Sequence, residues 1–267
     1  AFTEHLGPAC MSADSPRYLA FVPAAPTEAS ILFDLVVSAH SMYGGSWLEG
    51  AGAAHAENEA LDWLRRLAGL PAGAGGVFVP GGTLGNLAAI AAALHAARTG
   101  SNGRAAGTDG GHAADSIGPA DPPQGSRWKL VVADSAHSSV IDIAEMLGLE
   151  LVVGPTDPSG RLLGGPALDQ LLDAHPSVVA VVATAGTTNA GLIDDLTGIG
   201  QVARAHGVWF HVDAAYGGAG LCAPSIRHHF DGIELADSYI VDPHKWLFAP
   251  YDCCALIYRD PDRGRAA

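Results

Sequence analysis

The strongest constraint on the fold is an alternation between short apolar runs and segments with helical spacing. The apolar runs predict strands at 76–80, 129–133, 150–154, 178–183, 208–213, 238–242 and 253–258. Segments with apolar residues at helical spacing predict helices at 26–40, 56–70, 83–97, 139–148, 166–175 and 196–207. Val- and Ile-rich strands that alternate with helices are typical of a mostly parallel sheet with helices on both faces. The sequence therefore predicts an α/β fold.

One long segment interrupts this alternation. Residues 99–127 consist mainly of Gly, Ala, Asp, Ser and Pro, so they offer little apolar surface for a core. We predict a flexible surface insertion there. The remaining residues are sufficient for one large domain, and a chain of 267 residues buries roughly three quarters of its unfolded surface.

Charge and cysteine content exclude several classes of partner. The formal net charge is −14, which opposes both a nucleic-acid backbone and an anionic membrane because each attracts clustered positive charge. No apolar stretch approaches the roughly 20 residues of a membrane span, and we expect a soluble, cytoplasmic protein. Cys10, Cys222, Cys253 and Cys254 lack zinc spacing, so we expect reduced thiols. The twelve histidines form no metal-binding motif, and no metal site is predicted.

Polar residues follow several of the predicted strands. In parallel α/β sheets, ligands bind at the carboxyl ends of the strands. The candidates at these positions are Gly81, Gly82, Thr83, His137, Thr187, Thr188, Asp213 and Lys245. Their recurrence at one predicted edge favours a single ligand site.

Each candidate also has a purely structural interpretation. The sequence PGGTLGN (80–86) could hold a phosphate at a helix N-terminus, or form a tight turn with Thr83 as the N-cap. Asp213 closes a buried strand and requires a cation or several donors, yet it could simply cap a turn. His137 could be a helix residue with no further role.

Lys245 is the hardest residue to explain structurally. It lies between His244 and Trp246 in SYIVDPHKWLFAP (238–250), and lysine is rarely buried without a partner. One ligand would explain the whole set: an aromatic aldehyde with a ring nitrogen and a phosphate. A lysine amine would form a Schiff base with the aldehyde, an aspartate would hold the ring nitrogen protonated, and a helix N-terminus would take the phosphate. That ligand is pyridoxal 5'-phosphate.

Several motifs resemble one known family. VFVPGGTLGNLAAI, DSAHSSVIDIAEMLG, ATAGTTNAGLIDDL, WFHVDAAYGGAGL and ADSYIVDPHKWLFAPYDCCALIYRD occur in this order. They are similar to motifs of the group II pyridoxal-phosphate-dependent amino acid decarboxylases, over most of residues 15–260. The resemblance implies the aspartate-aminotransferase-like (fold type I) fold and a homodimer. It also implies a carboxy-lyase that converts an L-amino acid to an amine and CO2.

The resemblance also implies roles for individual residues. Lys245 would form the Schiff base, Asp213 would pair with the ring nitrogen, and His137 would stack on the ring and reach the substrate carboxylate. The other cofactor-binding residues would be Gly82, Thr83, Thr188, Ala215 and His244. Phe21 and Pro23 would shape the substrate pocket.

The resemblance predicts a domain organisation and leaves alternatives open. We expect an N-terminal segment at 1–45, a cofactor-binding large domain at 46–267, and a small C-terminal domain that this chain does not contain. Asp242 precedes Pro243 where the animal aromatic-amino-acid enzymes have Asn, which weakens a specifically aromatic assignment. The alternatives are another fold-type I enzyme, namely an aminotransferase, aldehyde synthase or carbon–carbon lyase, and an inactive homologue that binds the cofactor.

Overall fold

The computed structural model describes residues 1–18, 22–100 and 118–267. These residues contain one seven-stranded sheet in the order β1-β7-β6-β5-β4-β2-β3. Its strands are β1 (Gly75–Val79), β2 (Lys129–Val132), β3 (Glu150–Val153), β4 (Val178–Thr184), β5 (Trp209–Asp213), β6 (Ser238–Val241) and β7 (Cys254–Tyr258). Each predicted strand is present, with ends that differ by at most one residue.

The direction of the strands determines where a ligand site can form. Strands β2, β3, β4, β5 and β6 pair in parallel, whereas β7 pairs antiparallel with both β6 and β1. Since β7 is reversed between two strands of the same direction, six of the seven described strands end at the same edge. The predicted mostly parallel sheet is confirmed, and its carboxyl edge collects the loops that carry the candidate residues.

Helices cover both faces of the sheet. The helices of the described residues are α1 (Glu28–His40), α2 (Trp47–Leu67), α3 (Gly81–Arg98), α4 (Ser138–Met146), α5 (Pro166–Ala174), α6 (Leu196–Ala205) and α7 (Pro261–Ala266), and α2 to α7 contain residues packed on the sheet or on another helix. Helices α2, α5 and α6 contribute to one apolar cluster and α3 and α4 to the other. The neighbouring strand residues Val181 and Val182 belong to different clusters, because successive side chains on a strand point to opposite faces. The two-faced α/β architecture is therefore confirmed.

Helix α2 is longer than the sequence predicts. It begins at Trp47 after Ser46, whose hydroxyl accepts a hydrogen bond from the Glu49 N–H, and Gly50 has non-helical backbone angles within it. Glycines at 50 and 52 disguise this first part of the helix, because glycine is a poor helix former. In the predicted insertion, residues 101–117 lie outside the described residues, and residues 118–128 contain neither helix nor strand.

Helix α1 carries an unusual amount of exposed apolar surface. None of its residues is buried, and the exposed apolar side chains are Ile31, Leu32, Phe33, Leu35, Val36 and Val37. The Phe248 carbonyl accepts hydrogen bonds from the Thr27 N–H and the Ser30 hydroxyl, each at 3.1 Å. These bonds connect the start of α1 to the loop after Lys245. Across the described ranges, no helix is both long and apolar enough to cross a membrane.

Asp194 connects two crossover segments inside the core. Its Oδ1 accepts a hydrogen bond from the Leu162 N–H at 2.7 Å and its Oδ2 accepts one from the Thr184 N–H at 2.6 Å. Burial raises the pKa of this carboxyl to about 6. The carboxylate is thus a structural acceptor for two backbone donors.

We expect Asp194→Ala to lower the free energy of unfolding by about 2–5 kcal/mol, because two buried N–H groups would lose their acceptor. Urea unfolding at pH 7 measures this loss. Asp173→Ala is the control, since that side chain is 74% exposed, and it should change the free energy by less than about 0.5 kcal/mol. Equal effects in the two variants would contradict the structural role of Asp194.

Candidate active site

A cavity of about 680 Å³ opens at the carboxyl edge of the sheet. All eight residues predicted to bind a cofactor line it: Gly82, Thr83, His137, Thr188, Asp213, Ala215, His244 and Lys245. They come from the ends of β1, β2, β4, β5 and β6 and the segments that directly follow them, including the first turn of α3. Residues up to 163 positions apart in the sequence therefore lie around one space.

Lys245 has a buried ionic partner in this cavity. Its Nζ lies 2.9 Å from Asp242 Oδ2, and the Asp242 side chain is 2% exposed. Asp242 Oδ1 is also buried, and it has no hydrogen-bond partner within the described part of the chain. The ion pair explains how the protein accommodates a largely buried ammonium. Sequence reasoning noted Asp242 only as a departure from the family and missed this contact, although the i, i+3 spacing of the two residues is a usable signal.

Asp213 lies at the end of β5 and presents its carboxylate to the cavity. Its Oδ2 accepts a hydrogen bond from Asn86 Nδ2 at 2.9 Å, and its Oδ1 accepts one from the Ala215 N–H at 3.1 Å. The requirement for several donors is therefore met by these two bonds. Asn86 is buried in α3, and the sequence analysis did not identify it.

His211 lies behind this carboxylate and is fully buried. Its Nε2 is 2.9 Å from Asn86 Oδ1 and its Nδ1 is 2.8 Å from Ser238 Oγ. Burial lowers the pKa of the His211 ring to about 4. The imidazole is consequently neutral at physiological pH.

The buried neutral ring of His211 makes folding stability depend on pH. Between pH 6.5 and 4 the unfolded imidazole binds a proton and the folded one does not. The stability that the protein gains from a neutral His211 is fully present above pH 6.5 and is lost as the pH falls toward 4. The free energy of unfolding falls by up to about 3 kcal/mol over this range. Asp194 has the opposite effect on stability, because its pKa is raised in the folded protein. Both proteins in a test of His211 must therefore contain Asp194.

We expect the wild type to lose more stability than His211→Gln when urea unfolding is compared from pH 7 to about pH 4.5. Asp194 is present in both proteins and its contribution cancels. Parallel losses in the two proteins would contradict the neutral buried state of His211.

His137 contributes an imidazole to the wall of the cavity. It is the N-cap of α4, and its Nδ1 accepts the Ser139 N–H at 3.2 Å and lies 2.8 Å from the Ser139 hydroxyl. Because Nδ1 is an acceptor, the neutral ring carries its hydrogen on Nε2. The helix start therefore fixes both the position and the tautomer of this ring.

The turn between β1 and α3 provides a narrow cradle. Helix α3 begins at Gly81, which has a φ of 73°, so Thr83 lies inside the first turn and is not the N-cap. A Cβ on Gly82 would lie 3.0 Å from Asp242 Oδ2 and 3.4 Å from the Ala215 Cβ. The first turn of a helix has N–H groups without intrahelical partners and a positive dipole end. This turn can accept an anionic group that a side chain at Gly82 would block.

The remaining candidates complete the wall. The His244 Nδ1 lies 2.8 Å from the Cys253 carbonyl oxygen and 3.1 Å from the Cys253 nitrogen, and its Nε2 is 3.9 Å from Asp242 Oδ2. Thr188 and Pro23 line the cavity, whereas Phe21 lies outside the described residues. Tyr18, Ser135, Tyr216, Tyr251 and Asp252 also line it and were not identified from the sequence.

Comparison with known proteins agrees with this arrangement. The family profile for the pyridoxal-dependent decarboxylase conserved domain matches residues 2–263. An aromatic-L-amino-acid decarboxylase from Cavia porcellus is 34% identical over 91% of the chain and 51% of its own length. A 4-hydroxyphenylacetaldehyde synthase from Rhodiola rosea is 29% identical over 97% of the chain and 52% of its own length. The chain spans about half the length of the curated relatives that it matches.

The fold agrees with a solved structure as well. The crystal structure of Oryza sativa TDC with PLP and tryptamine covers 98% of this chain, with a TM-score of 0.81 and 30% sequence identity. The chain covers 54% of that structure. The likeness confirms the fold class predicted from the motifs.

Proposed function

The chain belongs to the pyridoxal-dependent decarboxylase family, and we propose that the protein containing it is a carboxy-lyase that converts an L-amino acid to an amine and CO2. The observation that carries this proposal is the convergence of Lys245, Asp213 and His137 on one cavity. Pyridoxal 5'-phosphate needs a lysine amine for its aldehyde and a carboxylate for its ring nitrogen. The imidazole and the helix N-terminus can contact its ring and its phosphate.

The residues of the cavity fit pyridoxal 5'-phosphate. Lys245 offers an amine at the wall, and the buried Asp242 carboxylate 2.9 Å from its Nζ supplies the opposite charge. The absence of a Cβ at Gly82 leaves the start of α3 open to an anion. We propose that Gly82, Thr83 and His244 hold the phosphate, that Asp213 and Thr188 contact the ring side, and that Ala215 and His137 flank its faces.

The bound cofactor would supply an electron sink for the pair left when the carboxylate departs. Asp213, as an anion, favours a protonated nitrogen beside it. His137, with its hydrogen on Nε2, can orient a substrate carboxylate. Lys245 Nζ holds the cofactor and can carry a proton back to the substrate carbon. We propose Lys245, His137 and Asp213 as the catalytic residues of this chain.

The cofactor assignment is tested by adding pyridoxal phosphate to the full-length protein and recording the visible absorption spectrum. Borohydride reduction and peptide mass mapping should then locate a phosphopyridoxyl group on Lys245. No adduct on any peptide would overturn the proposal. Release of CO2 with an amine from an L-amino acid tests the reaction itself.

A second candidate reaction has specific support. One relative is an aldehyde synthase, and this reaction would release an aldehyde, ammonia and CO2 in place of an amine, with an external two-electron oxidant such as dioxygen. Product analysis distinguishes the two reactions, because the decarboxylase yields CO2 and an amine and the alternative yields an aldehyde. Aminotransferase or carbon–carbon lyase activity would yield other carbonyl products. A protein that binds the cofactor without a spectral response to any amino acid would be an inactive homologue.

We propose three further properties of the protein, which concern its domains, its location and its partner. Residues 46–267 would form the cofactor-binding large domain and residues 1–45 a separate N-terminal segment, with residues 99–127 as an insertion. The cytoplasmic location also stays a prediction, supported by four free thiols in the structure, since a reducing compartment maintains thiols. The net charge of −14 supports an amino acid partner over a nucleic acid.

We also propose that the protein is a homodimer with α1 at its interface. Helices that are apolar on most sides are normally covered, and α1 exposes Phe33 by 74%, Leu35 by 65% and Leu32 by 64%. Its attachment to the Phe248 carbonyl places this surface next to the loop that carries Lys245. A second copy covering α1 would therefore lie beside this loop.

We expect Phe33→Asp to raise the dimer dissociation constant roughly 100-fold, because a buried phenyl ring contributes about 2–3 kcal/mol. Sedimentation of the full-length protein over a concentration series measures this change. Ser38→Asp adds the same charge at an exposed polar position of α1 and serves as the control. Unchanged dissociation in Phe33→Asp would exclude α1 from the interface.

A further inference from the structure

A continuous line of buried side chains connects the core to Asp213. Its contacts are Trp209 Nε1 to Ser238 Oγ at 2.9 Å, Ser238 Oγ to His211 Nδ1 at 2.8 Å, His211 Nε2 to Asn86 Oδ1 at 2.9 Å, and Asn86 Nδ2 to Asp213 Oδ2 at 2.9 Å. The exposed fractions of these residues are 6% or less. Two members of this line, Asn86 and Asp213, are buried and also line the cavity. Of these two, Asp213 is the acidic residue.

The Trp209 end of this line has a fixed direction. An indole N–H can only donate a hydrogen bond, so Ser238 Oγ accepts from Trp209. The hydroxyl hydrogen of Ser238 is then available to His211 Nδ1. When that hydrogen is donated to Nδ1, the neutral imidazole carries its own hydrogen on the other nitrogen, Nε2. Because Ser238 Oγ has two lone pairs, it can alternatively accept from both Trp209 Nε1 and His211 Nδ1, so this end alone allows two arrangements.

The Asp213 end requires the arrangement in which His211 carries its hydrogen on Nε2. An ionised carboxylate only accepts, so Asn86 must turn its NH2 group to Asp213 Oδ2 and its oxygen to His211. That oxygen needs a donor, which again places the hydrogen of His211 on Nε2. The ring carries a single proton because burial lowers the pKa of His211 to about 4. With Asp213 as a carboxylate, its end of the line therefore selects one arrangement, in which every hydrogen bond points toward Asp213, and the Trp209 end is compatible with it.

Protonation of Asp213 at Oδ2 would oppose this arrangement. The new O–H would need an acceptor, so the Asn86 amide would have to rotate and present its NH2 group to His211. His211 would then have to move its hydrogen to Nδ1, and the Ser238 hydroxyl would have to find another acceptor. Trp209 cannot reverse its role at all. The observed line, with Asn86 Nδ2 donating to Oδ2, is thus matched to a carboxylate that accepts at this oxygen.

We propose that Asn86 and His211 are positioning residues that hold the Asp213 carboxylate, as a hydrogen-bond acceptor, directed toward the ring nitrogen of the cofactor. The inference rests on the proposed function, since it assigns these residues to the carboxylate that would contact that nitrogen. They act through Asp213: His211 is not among the described residues that line the cavity, and Asn86, which lines it, directs its NH2 group to Asp213 Oδ2. Asn86 is the connecting element because it donates to Asp213 and accepts from His211.

The first test needs no cofactor. Full-length protein labelled with 15N-histidine gives the ring nitrogen resonances, and the resonance absent from the His211→Gln spectrum identifies His211. We expect a neutral ring with hydrogen on Nε2 at pH 7.5. A ring with hydrogen on Nδ1, or on both nitrogens, would overturn the proposal.

The second test measures the ring nitrogen of bound 15N-labelled pyridoxal 5'-phosphate. In His211→Leu and Asn86→Leu the donor line is broken, so the resonance should move toward the unprotonated value and the cofactor should bind roughly tenfold more weakly. His211→Gln retains a donor for Asn86, and the resonance should stay near that of the wild type. This rescue separates a donor requirement from a packing requirement.

The outcomes distinguish the two proposals. An unchanged ring nitrogen resonance in folded His211→Leu and Asn86→Leu would show that the line is only structural and would overturn the inference. If either leucine variant does not fold, the histidine tautomer of the wild type and the His211→Gln resonance still decide it. A wild type that forms no adduct on Lys245 would instead refute the proposed function, while the tautomer measurement would still test the direction of the line.

Discussion

Replacing Lys245 by alanine is expected to abolish covalent attachment of pyridoxal phosphate to this chain. Lys245 Nζ is the amine at the cavity wall, 2.9 Å from Asp242 Oδ2, and alanine has no group that can react with an aldehyde. After borohydride reduction, the phosphopyridoxyl signal on peptides of this chain should fall to less than about one hundredth of the wild-type value. Quantitative peptide mass mapping measures the loss.

The sequence provides a well-matched control for this experiment. Lys129 is the only other lysine of the chain. It begins β2, at the opposite edge of the sheet from the cavity, and its Nζ contacts Glu150 and His175. Lys129→Ala should retain the full signal on Lys245. A signal that persists in Lys245→Ala and disappears in Lys129→Ala would show that the cavity is not the cofactor site.

The fold could be predicted from the sequence because a buried strand appears as a short, continuous run of apolar residues. Strand β4 is buried at all seven positions, and an uninterrupted run of Val and Ala predicts such a strand directly. The start of α2 was missed because Gly50 and Gly52 weaken its helical pattern, while the Ser46 cap that overrides them is a local contact of the folded chain. Local patterns therefore located the elements but not every boundary.

The polar residues that contact the site residues were harder to predict from the sequence. Asp213, His137 and Lys245 could be identified because each follows a strand or interrupts an apolar run. Asn86 could not, because it resembles any other polar residue of α3, and its partners Asp213 and His211 are 127 and 125 positions away. The parallel sheet creates these contacts by placing β5 beside the start of α3. The signal that could have identified Asn86 is an amide within an otherwise Ala-rich helix, since a buried amide needs partners.

Replacing Asp213 by asparagine is expected to reduce the rate of decarboxylation by about 10²–10³-fold, the usual cost of removing one preorganised electrostatic group. Asp213 accepts hydrogen bonds at both oxygens, and asparagine can accept at only one. Its NH2 group would face either Asn86 Nδ2 or the Ala215 N–H, which are both donors. The variant loses the anion and also misorients its neighbours. Single-turnover kinetics with the full-length protein, loaded with cofactor, measures the effect.

Two comparisons separate this loss from a general loss of stability. The adduct on Lys245 should still form in Asp213→Asn, because the amine and the start of α3 are unchanged. Asp194→Asn removes another buried carboxylate that accepts two hydrogen bonds, yet Asp194 does not line the cavity. It should lower the free energy of unfolding while the loaded protein keeps its rate within about threefold. A loaded Asp213→Asn protein that keeps its rate to within about tenfold would contradict the role of the anion, because a charge beside the ring nitrogen should affect the reaction more than that.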